Sequence, residues 1–421
     1  LETLRGDVRT DLMQFFADHY SADQMGLVVL ANQSLDQLEA LVTPIFNQIR
    51  NADIGPSYPS EPAFSDQQLP AVLTSQTLKD NYGLAYNFPI PSTLQVYRNK
   101  PEQYLSNLIG HEGEGSLHHA LNTRGWIEGL GAGSQDLDRN NSLLTVNIGL
   151  TEAGRSHVNE ITDLLFQYFE MLRAQPPQDW LYQEQAKVAE LSFRFQEKGS
   201  TAGFVYQMAP SLDLYPAEDL LVAPYLMEAF NPALIENFLG YLRPDNVLLE
   251  VTAPDSVTDQ VEPWFEVPFT LNQAPLPRQA VSNATLRLPD VNPYLPEKLE
   301  LVAADELIMR RMIDQPELEL WLDTDVEFGT PRANMTVGFL TPNGLLGAAD
   351  RAQAWLYQRL VNDALSATIY PAYLAGLGYS IDVADSGFAI SVSGYQDKQM
   401  ALLDTVAEKL LNAEISTDRF I

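Results

Sequence analysis

The sequence predicts an α+β fold made of repeated αβ domains, each an antiparallel sheet with helices packed on one face. Three observations carry this expectation. Short β-rich runs joined as hairpins alternate with runs of helical apolar spacing, which is the pattern of helices layered on a sheet. The order strand, helix, glycine turn, two strands, helix occurs twice. A proline-rich stretch without helical period, "NATLRLPDVNPYLPEKLELV" at 283–302, lies between the copies and reads as a linker.

Taken in order, "DVRTDLMQFFADHY" at 7–20 has helical spacing behind a cap at Asp7. "MGLVVLA" at 25–31 reads as a buried strand, and "SLDQLEALVTPIFNQIR" as a second helix. A similar helix, turn and strand recurs at 234–254, where Asp245 stands as Asp23 does in the first turn. The first full copy then begins with the strand "YGLAYNFPIP" at 82–91, and the second with "ANMTVGFLTP" at 333–342. Each is followed by a long helix. In the first copy come the turn "NTRGWIEGLGAGS", the strand "SLLTVNIGL" and the helix "HVNEITDLLFQYFEMLRAQ". Their counterparts are "LAGLGYSIDVADS", "GFAISVSGY" and "KQMALLDTVAEKLLN", which sets Gly125 against Gly378 and Gly149 against Gly394. The closing "ISTDRFI" offers Ser416 or Thr417 as a helix cap just before the end, and with no starting methionine the chain reads as a piece of a longer polypeptide.

Charge and composition narrow the function classes. Acidic residues number 56 against 25 basic, a net charge of -31, which argues against nucleic acid because phosphate binding needs a basic footprint. With no cysteine there is neither a disulfide nor a thiolate nucleophile or ligand. No apolar run reaches the roughly 18 residues of a membrane span.

Three of the five histidines crowd into "LIGHEGEGSLHHALNTRGW" at 108–126, yet the spacing is poor for a metal. His111 and His118 on one helix would stand about 10–12 Å apart, and adjacent His118 and His119 diverge. The orders HExxH and HxxEH of zinc hydrolases are absent; "HVNEI" keeps His157 and Glu160 but has Ile161 in place of the second histidine. Peptide capture suits the stretch better. Gly110, Gly113 and Gly115 permit close backbone approach or positive φ. A free α-amino group can bond the Glu112 carboxylate and the Gly110 carbonyl, and "LGAGS" at 130–134 has the flat character of an edge to which an extended peptide adds. On the residues alone the alternative stands ahead of it: the glycines let a helix and a turn pack closely and do nothing more.

"YLSNLIGHEGEGSLHHALNTRGWIEGLGAG" followed by "LTEAGRSHVNEITDLLFQYFEMLRAQPPQDWLYQE" resembles the insulinase and pitrilysin family of zinc metallopeptidases, just after their catalytic domain. "YPAEDLL" at 215–221, "LRPDNV" at 242–247, "NPYLP" at 292–296 and "GYQDKQ" at 394–399 extend the match. The resemblance implies four homologous αβ domains enclosing a peptide chamber, with the HxxEH zinc site in the first domain, before this chain starts. On that reading residues 1–56 end the first domain, 57–285 are the second, substrate-anchoring domain, 286–304 the linker and 305–421 a partial third. It also implies an exosite for the substrate's N-terminus at Gly110, His111, Glu112, Leu130, Ala132 and Ser134, the last two departing from the usual glycine and glutamine, and Glu114 from a common proline. Zinc is then the parent's cofactor, with no ligand set in this chain. The partners are peptide substrates, the remaining domains and, in addition, a second copy as a homodimer. A periplasmic or secreted location follows by analogy. The competing expectation is a noncatalytic homologue serving as a scaffold or peptide-binding subunit.

Overall fold

The structure, a computed structural model, describes residues 8–56, 58, 61–65, 67–281, 285–301, 309–324, 328–341 and 347–412. The caps expected at Asp7, Ser416 and Thr417 lie outside the described residues.

The chain opens with α1 (Val8–His19) and α2 (Leu35–Phe46). Ser34 starts α2 through a capping box, its hydroxyl accepting from the Gln37 N–H while the Gln37 side chain accepts from the Ser34 N–H. The strand expected at 25–31 does not form. This segment has no secondary structure, and Met25, Leu27, Val29 and Leu30 stand exposed. A strand exists only through pairing, and no described strand lies alongside to supply it.

A seven-stranded sheet follows, built from β1 (Ala71–Ser75), β2 (Gly83–Pro91), β3 (Ile127–Asp136), β4 (Asn141–Leu150), β5 (Leu248–Thr252), β6 (Gln260–Val261) and β7 (Pro268–Asn272). Its order is β3-β4-β2-β5-β1-β7-β6, antiparallel except for the parallel pair β1/β5. Alternation fixes its faces. Tyr86 and Phe88 of β2 and Leu144, Val146 and Ile148 of β4 point into the core, while Asn87 and Thr145 hydrogen-bond on the opposite face.

The helices covering the sheet are α3 (Pro101–Ile109), α4 (Leu117–Asn122), α5 (Val158–Arg173), α6 (Asp179–Arg194) and α8 (Pro232–Leu239), with α7 (Thr201–Leu214) between the last two in sequence but without a buried residue. The apolar stripe of α5, from Ile161 through Leu164, Leu165, Tyr168 and Phe169 to Leu172, is fully or almost fully buried. Phe166 and Phe169 meet Phe88 edge-on, and the Tyr168 hydroxyl donates to the Leu108 carbonyl at 2.7 Å. This bond fixes the end of α3, where the loop at 110–116 begins. The long helix expected in the first copy is therefore two short ones, separated by that loop.

The second copy comprises a separate hairpin, β8 (Arg310–Gln315) and β9 (Leu318–Leu322), and a three-stranded sheet of β10 (Arg332–Leu340), β12 (Gly387–Tyr395) and β11 (Gly378–Ala384), packed by α9 (Ala348–Leu374) and α10 (Gln399–Leu411). Comparing the two turns corrects the glycine match. Gly125 and Gly376 both have positive φ, and the N–H of the next residue reaches back to Leu121 and Ala372 in the same way, so Gly376, not Gly378, stands where Gly125 does.

Among the described residues the buried apolar side chains form two clusters, one against the seven-stranded sheet and one against the three-stranded sheet. Helix α6 serves both, through Leu181 and Tyr182 in the first and Leu191, with its C-cap Phe195, in the second. The proline-rich segment is a packed strap. Leu286 and Leu288 lie on the first core and Tyr294, Leu295 and Leu299 on the second.

Candidate functional site

Among the described residues strand β3 is the outermost strand of its sheet, paired to β4 on one side only. Leu130 and Ala132 turn towards the helices, whereas a Cβ added at Gly129, Gly131 or Gly133 would meet no atom within 4 Å. The result is an edge with bare backbone and an open face. Ser134 is exposed near its end.

Gly110 is the C-cap of α3, its N–H donating to the Ser106 carbonyl at 2.9 Å. A Cβ there would stand 3.2 Å from the Ser106 oxygen and 3.3 Å from the Ala132 nitrogen. Only glycine lets the loop come this close to the edge strand without a shift. Gly110 and β3 are thus neighbours in space.

His111 is buried, its Nδ1 accepting the Gly113 N–H at 3.0 Å and its ring edge-on to Tyr370. Burial pushes its pKa down to about 4, so the imidazole is neutral near pH 7. His118 does not share a helix with His111, because the loop intervenes and His118 lies in the first turn of α4, whose Ser116 cap accepts the His119 N–H. Burial lowers the His118 pKa as well. His157 pairs with Glu160 and stacks on Trp126. Among the described residues no three histidine or carboxylate side chains gather as a metal site, so this part of the chain offers no fit for a zinc ion.

Glu112 is half-buried, and its carboxylate has neither an ion pair nor a hydrogen bond among the described residues. Burial raises its pKa. Tyr370 of α9 stands beside it: the phenol pKa is pushed up to about 12, first by burial and then by the Glu112 charge, and the hydroxyl donates to the Gly110 carbonyl at 3.2 Å. A neutral phenol and an unpaired carboxylate therefore converge on the same backbone. Sequence reasoning missed Tyr370, which is 260 residues from Gly110 along the chain. No local pattern around it signals that α9 folds back onto α3.

Behind the loop is a cavity of about 800 Å³, walled by His111, Gly113 and Glu114, by α6, by the strap and by α9. Two hydrogen bonds tie these walls: the Asn292 N–H donates to Glu184 at 2.9 Å, and its side-chain amide to the Pro371 carbonyl at 2.7 Å.

Fold and site together define a class: αβ units in tandem, the first with a glycine loop packed against its outer strand. The chain belongs to the M16 peptidase family, the insulinase and pitrilysin group. Residues 7–188 match "Peptidase M16 inactive domain" and residues 193–421 match "Middle or third domain of peptidase_M16". The division between these matches falls within α6. The chain is 33% identical over 424 residues to insulin-degrading enzyme-like 1, peroxisomal, of Arabidopsis thaliana, covering 98% of this chain and 44% of that protein. It is 34% identical over 427 residues to insulin-degrading enzyme of Homo sapiens, covering 98% and 42%. The chain thus spans less than half the length of these relatives. Among solved structures, pitrilysin superposes with a TM-score of 0.83 at 20% identity, over 99% of this chain and 45% of that one, which shows the shared fold.

Proposed function

We propose that this chain is the substrate-anchoring part of an insulinase-like zinc metalloendopeptidase and holds the N-terminal end of a peptide while another part of the polypeptide cleaves it. One observation carries the reading: an unpaired, half-buried Glu112 carboxylate lies beside a close contact between the Gly110 loop and the free edge of β3. Main-chain pairing to Leu130, Ala132 and Ser134 orients the peptide, and its ammonium bonds Glu112 and the Gly110 carbonyl. Charge-assisted bonds of this kind are worth about 1.5–3 kcal/mol each. His111 stays neutral and adds no charge that would repel the amine.

The division into 1–56, 57–285, 286–304 and 305–421 belongs to the same reading and is supported by the single sheet running from β1 to β7. Zinc would be held by residues outside the described ones. The purified chain is expected to bind peptides weakly and cleave none; zinc-dependent turnover by it would refute this. A periplasmic or secreted location is part of the proposal by family analogy, tested by cell fractionation.

The direct test compares binding of a short peptide with a free or an acetylated N-terminus. Acetylation should weaken binding about tenfold, and Glu112→Gln should remove that difference. Equal binding of both peptides by the unaltered chain would discard the capture reading in favour of a scaffold.

A further inference from the structure

The capture loop carries a second carboxylate, Glu114, two residues from Glu112 and hence within about 7 Å along the chain. It is exposed and lines the cavity behind the loop. Left alone, it would offer a peptide amine a competing anchor and blur the register in which the peptide enters β3.

The strap answers it with Arg287. The Arg287 N–H donates to the Gly115 carbonyl at 3.0 Å. Gly115 has φ +84°, and a Cβ there would collide with the Arg287 stem, 2.4 Å from Cγ and 3.2 Å from Cδ. The aliphatic part of the arginine thus lies directly on the one loop glycine in the left-handed region. Its guanidinium reaches Glu114 at 3.6 Å and Asp290 at 2.9 Å. Leu286 and Leu288, on either side, are packed on the first core, so the arginine is presented from a fixed support. Nothing comparable faces Glu112, which has no cation partner among the described residues.

We propose that Arg287 is a positioning residue of the capture loop: it clamps Gly115 and occupies Glu114, leaving Glu112 as the carboxylate that receives a peptide's free N-terminus. This rests on the capture reading above and adds what makes Glu112 exclusive. Because exposed ion pairs are weak, the exclusivity is a matter of a few-fold.

The experiment measures, in the 421-residue chain, the preference for a free over an acetylated fluorescent peptide, with melting temperature followed in parallel. In Glu112→Gln the preference is lost. Adding Arg287→Met, which keeps the stem over Gly115 but removes the charge, should restore a preference of about threefold, now directed to Glu114. Adding Glu114→Gln should abolish it again. Arg287→Lys in the Glu112→Gln background keeps the charge and should leave the preference absent, which separates masking from simple packing. If the double variant Glu112→Gln with Arg287→Met shows no more preference than Glu112→Gln alone, the inference is overturned while the capture reading stands. If the unaltered chain shows no preference, the capture reading itself falls.

Discussion

At the scale of single residues, burial decides which groups are charged. Glu102, near the start of α3, is 6% exposed with an unpartnered Oε2, and burial raises its carboxyl pKa to about 7. The folded state therefore holds this proton more tightly than the unfolded chain does. Its contribution to stability is full below about 4.5 and is lost as pH rises through 7. Glu102→Gln should stabilise the protein by about 1–3 kcal/mol well above pH 7 and by little below 4.5. Denaturant unfolding at both ends would show it, and an equal effect at both would contradict the burial argument. His111 runs the other way. Its folded pKa near 4 lies below the ordinary 6.5, so its contribution is intact above 6.5 and is lost as pH falls towards 4. Hydrogen exchange of the 110–116 amides should accordingly speed up, beyond its intrinsic pH dependence, in that acidic window. His111→Phe, which cannot charge, should remove the extra change.

At the scale of elements, α3 and β3 make the site because something holds their ends. The Tyr168 hydroxyl bond to the Leu108 carbonyl is buried, so Tyr168→Phe leaves that carbonyl only the longer bond from the His111 N–H at 3.3 Å and should cost about 1 kcal/mol, read by calorimetry or denaturant unfolding. Gly110→Ala places a methyl against the Ser106 oxygen and the Ala132 nitrogen and should move the loop away from the edge. Peptide affinity should then fall by about tenfold with a small loss of stability. An unchanged affinity would mean that the contact does not matter for capture. Main-chain pairing to β3 makes a separate prediction, since it depends on amides rather than side chains. Peptides methylated on alternate backbone nitrogens should bind more weakly, whereas exchanging their side chains should matter less. Most helices and the strands of the two copies are legible in their spacing; α6, α7, β1 and β6 to β9 are not. The break between α3 and α4 was not read, although Gly113, Gly115 and the Ser116 cap spell it out, because apolar spacing alone continues across the loop. The segment at 25–31 was misread for the opposite reason: its composition is that of a strand, but no partner lies beside it.

At the scale of the whole molecule, two cores are joined by α6 and the strap, and the capture loop lies where they meet. Leu365→Ala, in the second core, should cost about 2–5 kcal/mol and lower the melting temperature. Because Tyr370 lies on the same helix, the same substitution should also weaken peptide capture more than a comparable change under the middle strand of the first sheet, such as Leu249→Ala. Binding measurements on the two variants would decide between a site that belongs to one unit and a site completed by the other. By itself the sequence determined the αβ repeat, the glycine-rich stretch that carries Glu112, the strand at 130–134 and the resemblance to its family, because hydrophobic period, turn chemistry and motif residues are local properties. Only the tertiary structure decided that β3 is an outer edge, that Tyr370 and Arg287 stand on either side of the loop and that the proline-rich segment is a packed strap. Such contacts join residues hundreds of positions apart, and their energy depends on which surfaces meet in space, which no local pattern in the chain encodes.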